Sequence, residues 1–286
     1  MNNNPLFSVL VANYNNGRYI QETIESVKAQ DYRNWEIIIV DDASTDNSID
    51  IYNKYSSDNR IKIYYNSENK GVTYTKWKCL EHAKGEICGF LDADDIILSN
   101  ALSLMVSEHL KDENISIISS RYYICDENMN IQKESGYLRI PKGESYLTYM
   151  QYEPWPFISF KMSKYKQTKG LNPLNKIGDD QELCLLLEEA GKWQVLDNIT
   201  YKYRIKDNSL SHNEGYKCAY WNLIVYHEAC IRRKLNPENY SIRFWWKLLN
   251  QYAYEKIMEE LKVNKAYKLG LFIMAPLLKI KQIIKK

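Results

Sequence analysis

The sequence predicts an α/β protein, a mostly parallel sheet flanked by helices, followed by a C-terminal helical appendage. Short apolar runs alternate with segments of helical spacing through the N-terminal part of the chain. Aspartates crowd directly behind two of those runs, and after Tyr216 the pattern becomes continuously helical and aromatic.

Phe7 to Ala12 and Trp35 to Val40 read as strands, with Ile20, Ile24 and Val27 repeating at helical spacing between them. Ser44 to Asp50 supplies capping residues for a helix running toward Tyr55. Ile61 to Tyr65 is a further strand, Val72 to Ala83 a helix and Ile87 to Leu91 a strand. Alternation of this kind builds parallel sheets, whose ligands sit outside the carboxyl ends of the strands. The pattern breaks into aromatic, Pro-containing and polar segments from Tyr122 to Asn172, as expected of an inserted substrate-facing region. Helical spacing resumes at Leu183. The division predicted is a catalytic unit over 1–214, with a nucleotide-binding half to about 120 and an acceptor half over 121–214, and then a helical appendage over 215–286.

At 286 residues and 45% hydrophobic, the chain has enough apolar surface for a substantial core, which argues against disorder. Lys and Arg number 38 against 36 Asp and Glu, so nothing in the net charge of +2 favours nucleic acid. The six cysteines form no CxxC pair and no Cys/His metal spacing, so zinc is not indicated and free thiols of a reducing compartment are expected. The N-terminus lacks the basic start and apolar stretch of a signal peptide, and a cytoplasmic location is expected.

Three acidic tracts carry the chemistry. Asp92-Ala93-Asp94-Asp95 follows an apolar strand, where clustered carboxylates are costly unless a cation neutralises them. Their hard oxygens suit Mn2+ or Mg2+, ions that keep open positions for phosphate oxygens. The bland alternative is a cap for the helix that begins near Asn100. Asp41-Asp42-Ala43-Ser44-Thr45-Asp46 also follows a strand. There Asp42 and Asp41 are placed to accept from a base imide or a ribose hydroxyl, while Ser44 or Asp46 serves as an N-cap. Asp179-Asp180-Gln181-Glu182 opens an apolar helix, which a structural role at the helix N-terminus would also explain.

Taken together, SVLVANYNNGRYIQETIESVKAQ, WEIIIVDDASTDNS, NKGVTYTKWKCLEHAKGEICGFLDADD, GDDQELCLLLEEAGK and YRIKDNSLS resemble glycosyltransferase family 2 and its GT-A fold, in order and spacing across residues 6–211. The resemblance implies that Ala12, Tyr14 and Asp42 line a nucleobase pocket, that Asp92 lies near the ribose and Asp94 on a metal, and that Asp95 is a second ligand or a cap. It makes Asp180 the catalytic base, with Asp179 beside the acceptor, in an inverting transfer from a nucleotide diphosphate sugar, UDP by preference. Two positions depart from the pattern. Lys76 stands where many members have arginine and is expected to replace it as a donor-binding cation near phosphate, and Lys206 stands where members often have a metal- or diphosphate-associated histidine. Lys206 is assigned to phosphate, with His212 near enough in sequence to substitute as a metal ligand. His82, His109 and His227 receive no role.

Acceptor recognition is expected around Tyr152, Trp155 and Phe157, from a glycan or a lipid-linked glycan. After Glu260 only basic charges remain, gathered around the apolar stretch Leu269 to Leu278. That stretch is too short to span a bilayer and suits either an anionic membrane surface or packing on protein. A sugar nucleotidyltransferase is disfavoured because Ala12 to Arg18 holds only Gly17 where a Gly-rich phosphate loop belongs. A non-catalytic carbohydrate-binding or scaffold protein is the competing class from outside enzymology, and retention of both DADD and DDQE argues against it.

Overall fold

The computed structural model describes residues 4–137, 140–141, 143–149, 156–206 and 215–239. The first half follows the predicted alternation: β1 (Phe7–Asn13), α1 (Ile20–Lys28), β2 (Trp35–Asp41), α2 (Ser48–Asn53), β3 (Ile61–Tyr65), α3 (Val72–His82) and β4 (Ile87–Phe90). β5 (Ile96–Ile97), α4 (Ala101–Lys111), β6 (Ile115–Cys125) and β7 (Ile131–Glu134) come next. After them stand α5 (Tyr146–Tyr149), β8 (Ile158–Lys161), α6 (Met162–Tyr165), α7 (Asp179–Ala190), β9 (Lys192–Arg204) and α8 (Gly215–Arg232).

The strands form one nine-stranded sheet ordered β3-β2-β1-β4-β8-β6-β9-β5, with β7 on β6. β3, β2, β1 and β4 are parallel; β8 runs antiparallel between β4 and β6, and β6 pairs β9 in parallel. Central strands covered on both faces must be apolar on both. Accordingly Val9, Val11, Ile37 and Ile39 pack into one core with Ile20 and Ile24 of α1, while Leu10, Ile38 and Val40 pack into the other with Cys79 and Leu80 of α3. The second core also takes Leu183, Leu185 and Leu187 of α7 and Val225, Tyr226 and Ala229 of α8.

One expectation changes. The stretch from Tyr122 to Asn172 is not a single insertion, because β8 lies inside it with all four residues buried at the centre of the sheet. Four residues are too few to show a period, which is why this strand escapes the pattern. At the start of the predicted appendage, α8 packs on α7, where Tyr226 Oη donates to Gln181 Oε1 (3.1 Å), and Arg232 and Arg233 pair with Glu188 and Glu189 of α7. Among the described residues no helix is long and apolar enough to cross a membrane. The basic stretch around Leu269 to Leu278 lies outside them.

Phe160 tests the role of β8 in the core. It is fully buried, with its ring centroid 6.3 Å from that of Phe90 and 6.0 Å from that of Tyr165. Phe160→Ala is expected to cost about 3–5 kcal/mol, read as a lower urea midpoint at unchanged slope.

Candidate active site

The carboxyl ends of β1, β2 and β4 fall side by side, Asn13 pairing with Asp41 in register and Leu91 N donating to Leu10 O at 2.9 Å. The loops that leave them carry two of the three acidic tracts. The third opens α7, which Gly178 starts from a left-handed conformation at φ 92°, a conformation that glycine adopts without cost.

Lys76, on α3, joins two of the tracts, that behind β4 and that opening α7. Its side chain is 6% exposed, and Nζ lies 2.5 Å from Asp180 Oδ1, 2.7 Å from Asp179 Oδ2 and 3.9 Å from Asp92 Oδ1. Burial alone would drive the ammonium to give up its proton; Asp179, Asp180 and Asp92 more than offset that and hold its pKa well above the usual lysine range. Asp179 is buried too, and Lys76 outweighs the burial and lowers its pKa. Asp180 is different: 61% of its side chain stays open to solvent. Crowding of its carboxyl by protein, with the charges of Asp179 and Asp92, pushes its pKa up to about 7 against the pull of Lys76. An accessible carboxylate poised near neutrality is suited to general-base work.

Asp41 and Asp42 are bound by the protein itself. Asp41 accepts from Ser44 N (2.7 Å), Tyr52 Oη (2.8 Å) and Asn13 Nδ2 (3.1 Å). Asp42 accepts from Asn66 Nδ2, Lys70 N and Gly71 N, each at 2.8 Å. With about four acceptor positions per carboxylate, each keeps roughly one for a ligand. Ala12 is half-buried at the end of β1, and Tyr14, 46% exposed, lies just beyond it. Neither Ser44 nor Asp46 is the N-cap of α2, which is Asn47; Asp46, one residue earlier, accepts from Ser48 N at 3.0 Å.

The DADD loop divides by role. Asp92 keeps 42% of its side chain exposed. Asp95 is buried, and its oxygens accept from Tyr201 Oη and Arg204 N, both at 2.7 Å. That fixes the loop to β9 and commits both oxygens of Asp95 to protein donors; it is not a cap, since α4 begins six residues later, beyond β5. Arg204 completes the clamp, donating from Nε to the Asp94 carbonyl (2.7 Å), from Nη2 to Glu22 (2.8 Å) and from Nη1 to the Glu127 carbonyl. Its strand carries Lys206 to within 2.6 Å of Asp94 Oδ2, and Nζ also donates to Asn16 Oδ1 (2.9 Å). A cavity of about 300 Å³ opens beside Lys206, lined also by Cys125, Asp126, Glu127, Gln132 and Ile205.

A resident Mn2+ or Mg2+ needs several oxygen ligands from protein, water or phosphate. Among the described residues no three of His, Cys, Asp and Glu gather to hold one. Asp95 is engaged, and the Oδ2 of Asp94 already faces an ammonium. The described donor set therefore does not fit a resident metal. His212 and Trp155 lie outside the described residues. Phe157 is core, its ring centroid 5.8 Å from that of Tyr201, and Asp179 is too buried to offer a surface to an acceptor. Sequence reasoning missed Arg204, Asn16 and Asn13, although YRIKDNSLS and ANYNNG contain them; their partners lie too far along the chain to be read from a single sequence.

The curled α/β sheet, with three carboxylate tracts converging at its strand ends, is that of a glycosyltransferase with the GT-A fold. The chain belongs to Glycosyl transferase family 2, whose family model matches residues 8–169. It is similar to the UDP-Glc:alpha-D-GlcNAc-diphosphoundecaprenol beta-1,3-glucosyltransferase WfgD of Escherichia coli, 37% identical over 128 residues that cover 45% of this chain and 50% of that protein. In fold it resembles residues 1–349 of S. aureus TarS in complex with UDP-GlcNAc (TM-score 0.66, 19% identity, 86% of this chain and 71% of that one). It also resembles the mannosyltransferase PcManGT of Pyrobaculum calidifontis in complex with GDP-Man and Mn2+ (TM-score 0.62, 16% identity, 99% and 88%).

The pairing of Lys76 with Asp180 sets the pH dependence of transfer. A base with its pKa near 7 is active when deprotonated, so the rate should fall as pH drops through about 7. In Lys76→Met the lost cation makes Asp180 harder to ionise, and the acidic limb of kcat/KM should move up by about 1–3 pH units. An unmoved limb would show that Lys76 does not act on the base.

Proposed function

We propose that this protein is an inverting glycosyltransferase, moving a sugar from a nucleotide diphosphate donor, UDP by preference, to a hydroxyl of a glycan or lipid-linked glycan in cell-surface polysaccharide synthesis. The observation that carries the reading is the single ammonium of Lys76, which reaches both the donor-side Asp92 and the exposed Asp180. Donor and base therefore act in one cleft.

In this reading the base of the donor sits at the ends of β1 and β2, near Ala12, Tyr14, Asp41 and Asp42, with the ribose near Asp92. Asp180 takes the proton of the acceptor hydroxyl as its oxygen attacks the anomeric carbon from the face opposite the nucleotide. The bond from that carbon to the diphosphate oxygen breaks, its electron pair leaves on the diphosphate, and configuration inverts. Negative charge then grows on the leaving oxygen, where a fixed cation contributes most. Lys206 is placed for that task; Lys76 is already committed to three carboxylates. The expectation of Mn2+ or Mg2+ is supported by the DADD tract and by the Mn2+ complex of a structural neighbour, and opposed by the pairing of Asp94 with Lys206.

A cytoplasmic site of action agrees with the six free cysteines, and the lysines after Glu260 suit attachment to an anionic membrane face. The domain division at 214/215 is retained as a proposal, with α8 anchoring the C-terminal segment to α7.

Asp180→Asn should lower kcat by about 10²–10⁴-fold while UDP affinity changes little, measured by coupled UDP release and calorimetry. NMR of the product should show inversion at the anomeric centre; retention would rule out the role given to Asp180. In flotation with anionic liposomes, the full chain should rise with the vesicles and a chain truncated after Glu260 should not. Equal flotation of both would end the membrane reading.

A further inference from the structure

Resting on the transferase reading, we propose that Lys206 is itself the cation of the diphosphate site, so that this enzyme binds its donor without a divalent ion.

The position of the ammonium is built rather than incidental. Arg204, two residues earlier, is fixed to the DADD loop twice, through its backbone N on Asp95 Oδ1 and its Nε on the Asp94 carbonyl, both at 2.7 Å. The strand end is thereby delivered against Asp94, and Lys206 Nζ closes on Asp94 Oδ2 at 2.6 Å. Asn16 Oδ1 accepts from it at 2.9 Å, and the Tyr19 ring lies beneath it with Nζ 5.3 Å from the centroid. Two of these contacts come from the loop between β1 and α1 and one from the loop behind β4, so the cation at the end of β9 is held by two separate parts of the fold.

An ammonium has three N–H donors, and two of them are spent on Asp94 and Asn16. The third has no protein acceptor among the described residues, which leaves it for an anionic oxygen of the donor. The same pairing works against a metal. A protonated lysine cannot ligate, and an ion on Asp94 would have to displace it or lie against a like charge. Of the other carboxylates in the loop, Asp95 is buried and accepts from Tyr201 and Arg204, and Asp92 faces the ammonium of Lys76 at 3.9 Å. The acidic loop thus has its counter-charge supplied by the chain.

The test is UDP binding by calorimetry to the full chain, stripped of metal in EDTA and then repeated with Mn2+. Wild-type affinity should be the same in both within about twofold, well under the loss of one charge-assisted bond. Lys206→His should bind about tenfold or more weakly in EDTA and recover when Mn2+ is added, the imidazole now ligating. Lys206→Arg, which keeps the charge, should bind in EDTA as the wild type does. Wild-type binding that collapses in EDTA, or Lys206→His binding that is normal there, would overturn the assignment while leaving the transferase reading intact. Failure of the wild type to bind UDP, GDP and dTDP with or without Mn2+ would instead strike the transferase reading, and this inference with it.

Discussion

The site depends on one buried ammonium. Lys76 sits beneath the strand ends with Asp92, Asp179 and Asp180 around it, and removing a charge from water is costly unless partners surround it. Each participant needs the others: Asp179 stays ionised in a buried position because of Lys76, and Lys76 stays charged because of the carboxylates. The consequence is geometric as well as electrostatic. The loop behind β4 and the first turn of α7, which are far apart in sequence, are held at a common point, and only Asp180 of the group keeps most of its side chain in solvent.

A second polar assembly governs the neighbouring loop. Tyr201 and Arg204, both from β9, bind the two oxygens of Asp95, so β9 acts as the frame on which the DADD tract is mounted. Burial and the charges of Asp94 and Asp92 raise the pKa of Asp95 well above the ordinary carboxylate range. Hydrogen bonds from protein meet that demand, whereas Asp94 is met by Lys206. Three adjacent acidic residues thus have three different solutions to the same electrostatic problem.

Much of this was legible from the residues. The first four strands and first three helices follow from periodicity because each central strand is apolar on both faces and each helix shows its stripe. The acidic tracts stood out because several carboxylates behind an apolar strand require compensation. What compensated them was not legible. Asp95 meets Tyr201 and Arg204 across more than a hundred residues, and Lys76 meets Asp180 across 104, so neither pairing leaves a local signal. β9 was hidden because three register shifts against β6 blur its alternation over Lys192–Arg204. Asp179 looked like a partner of Asp180 at an acceptor, but α7 turns it inward toward Thr73 and Lys76.

The central claim is that Lys76 and the carboxylates of α7 act as a unit, and a double-mutant cycle on Lys76→Met and Asp179→Asn measures it most directly. Unfolding in guanidinium should show each single change destabilising, and the double change costing less than their sum by about 1–3 kcal/mol. Additivity within about 0.5 kcal/mol would contradict the claim, because it would mean that the buried ammonium and its nearest buried carboxylate do not sense one another.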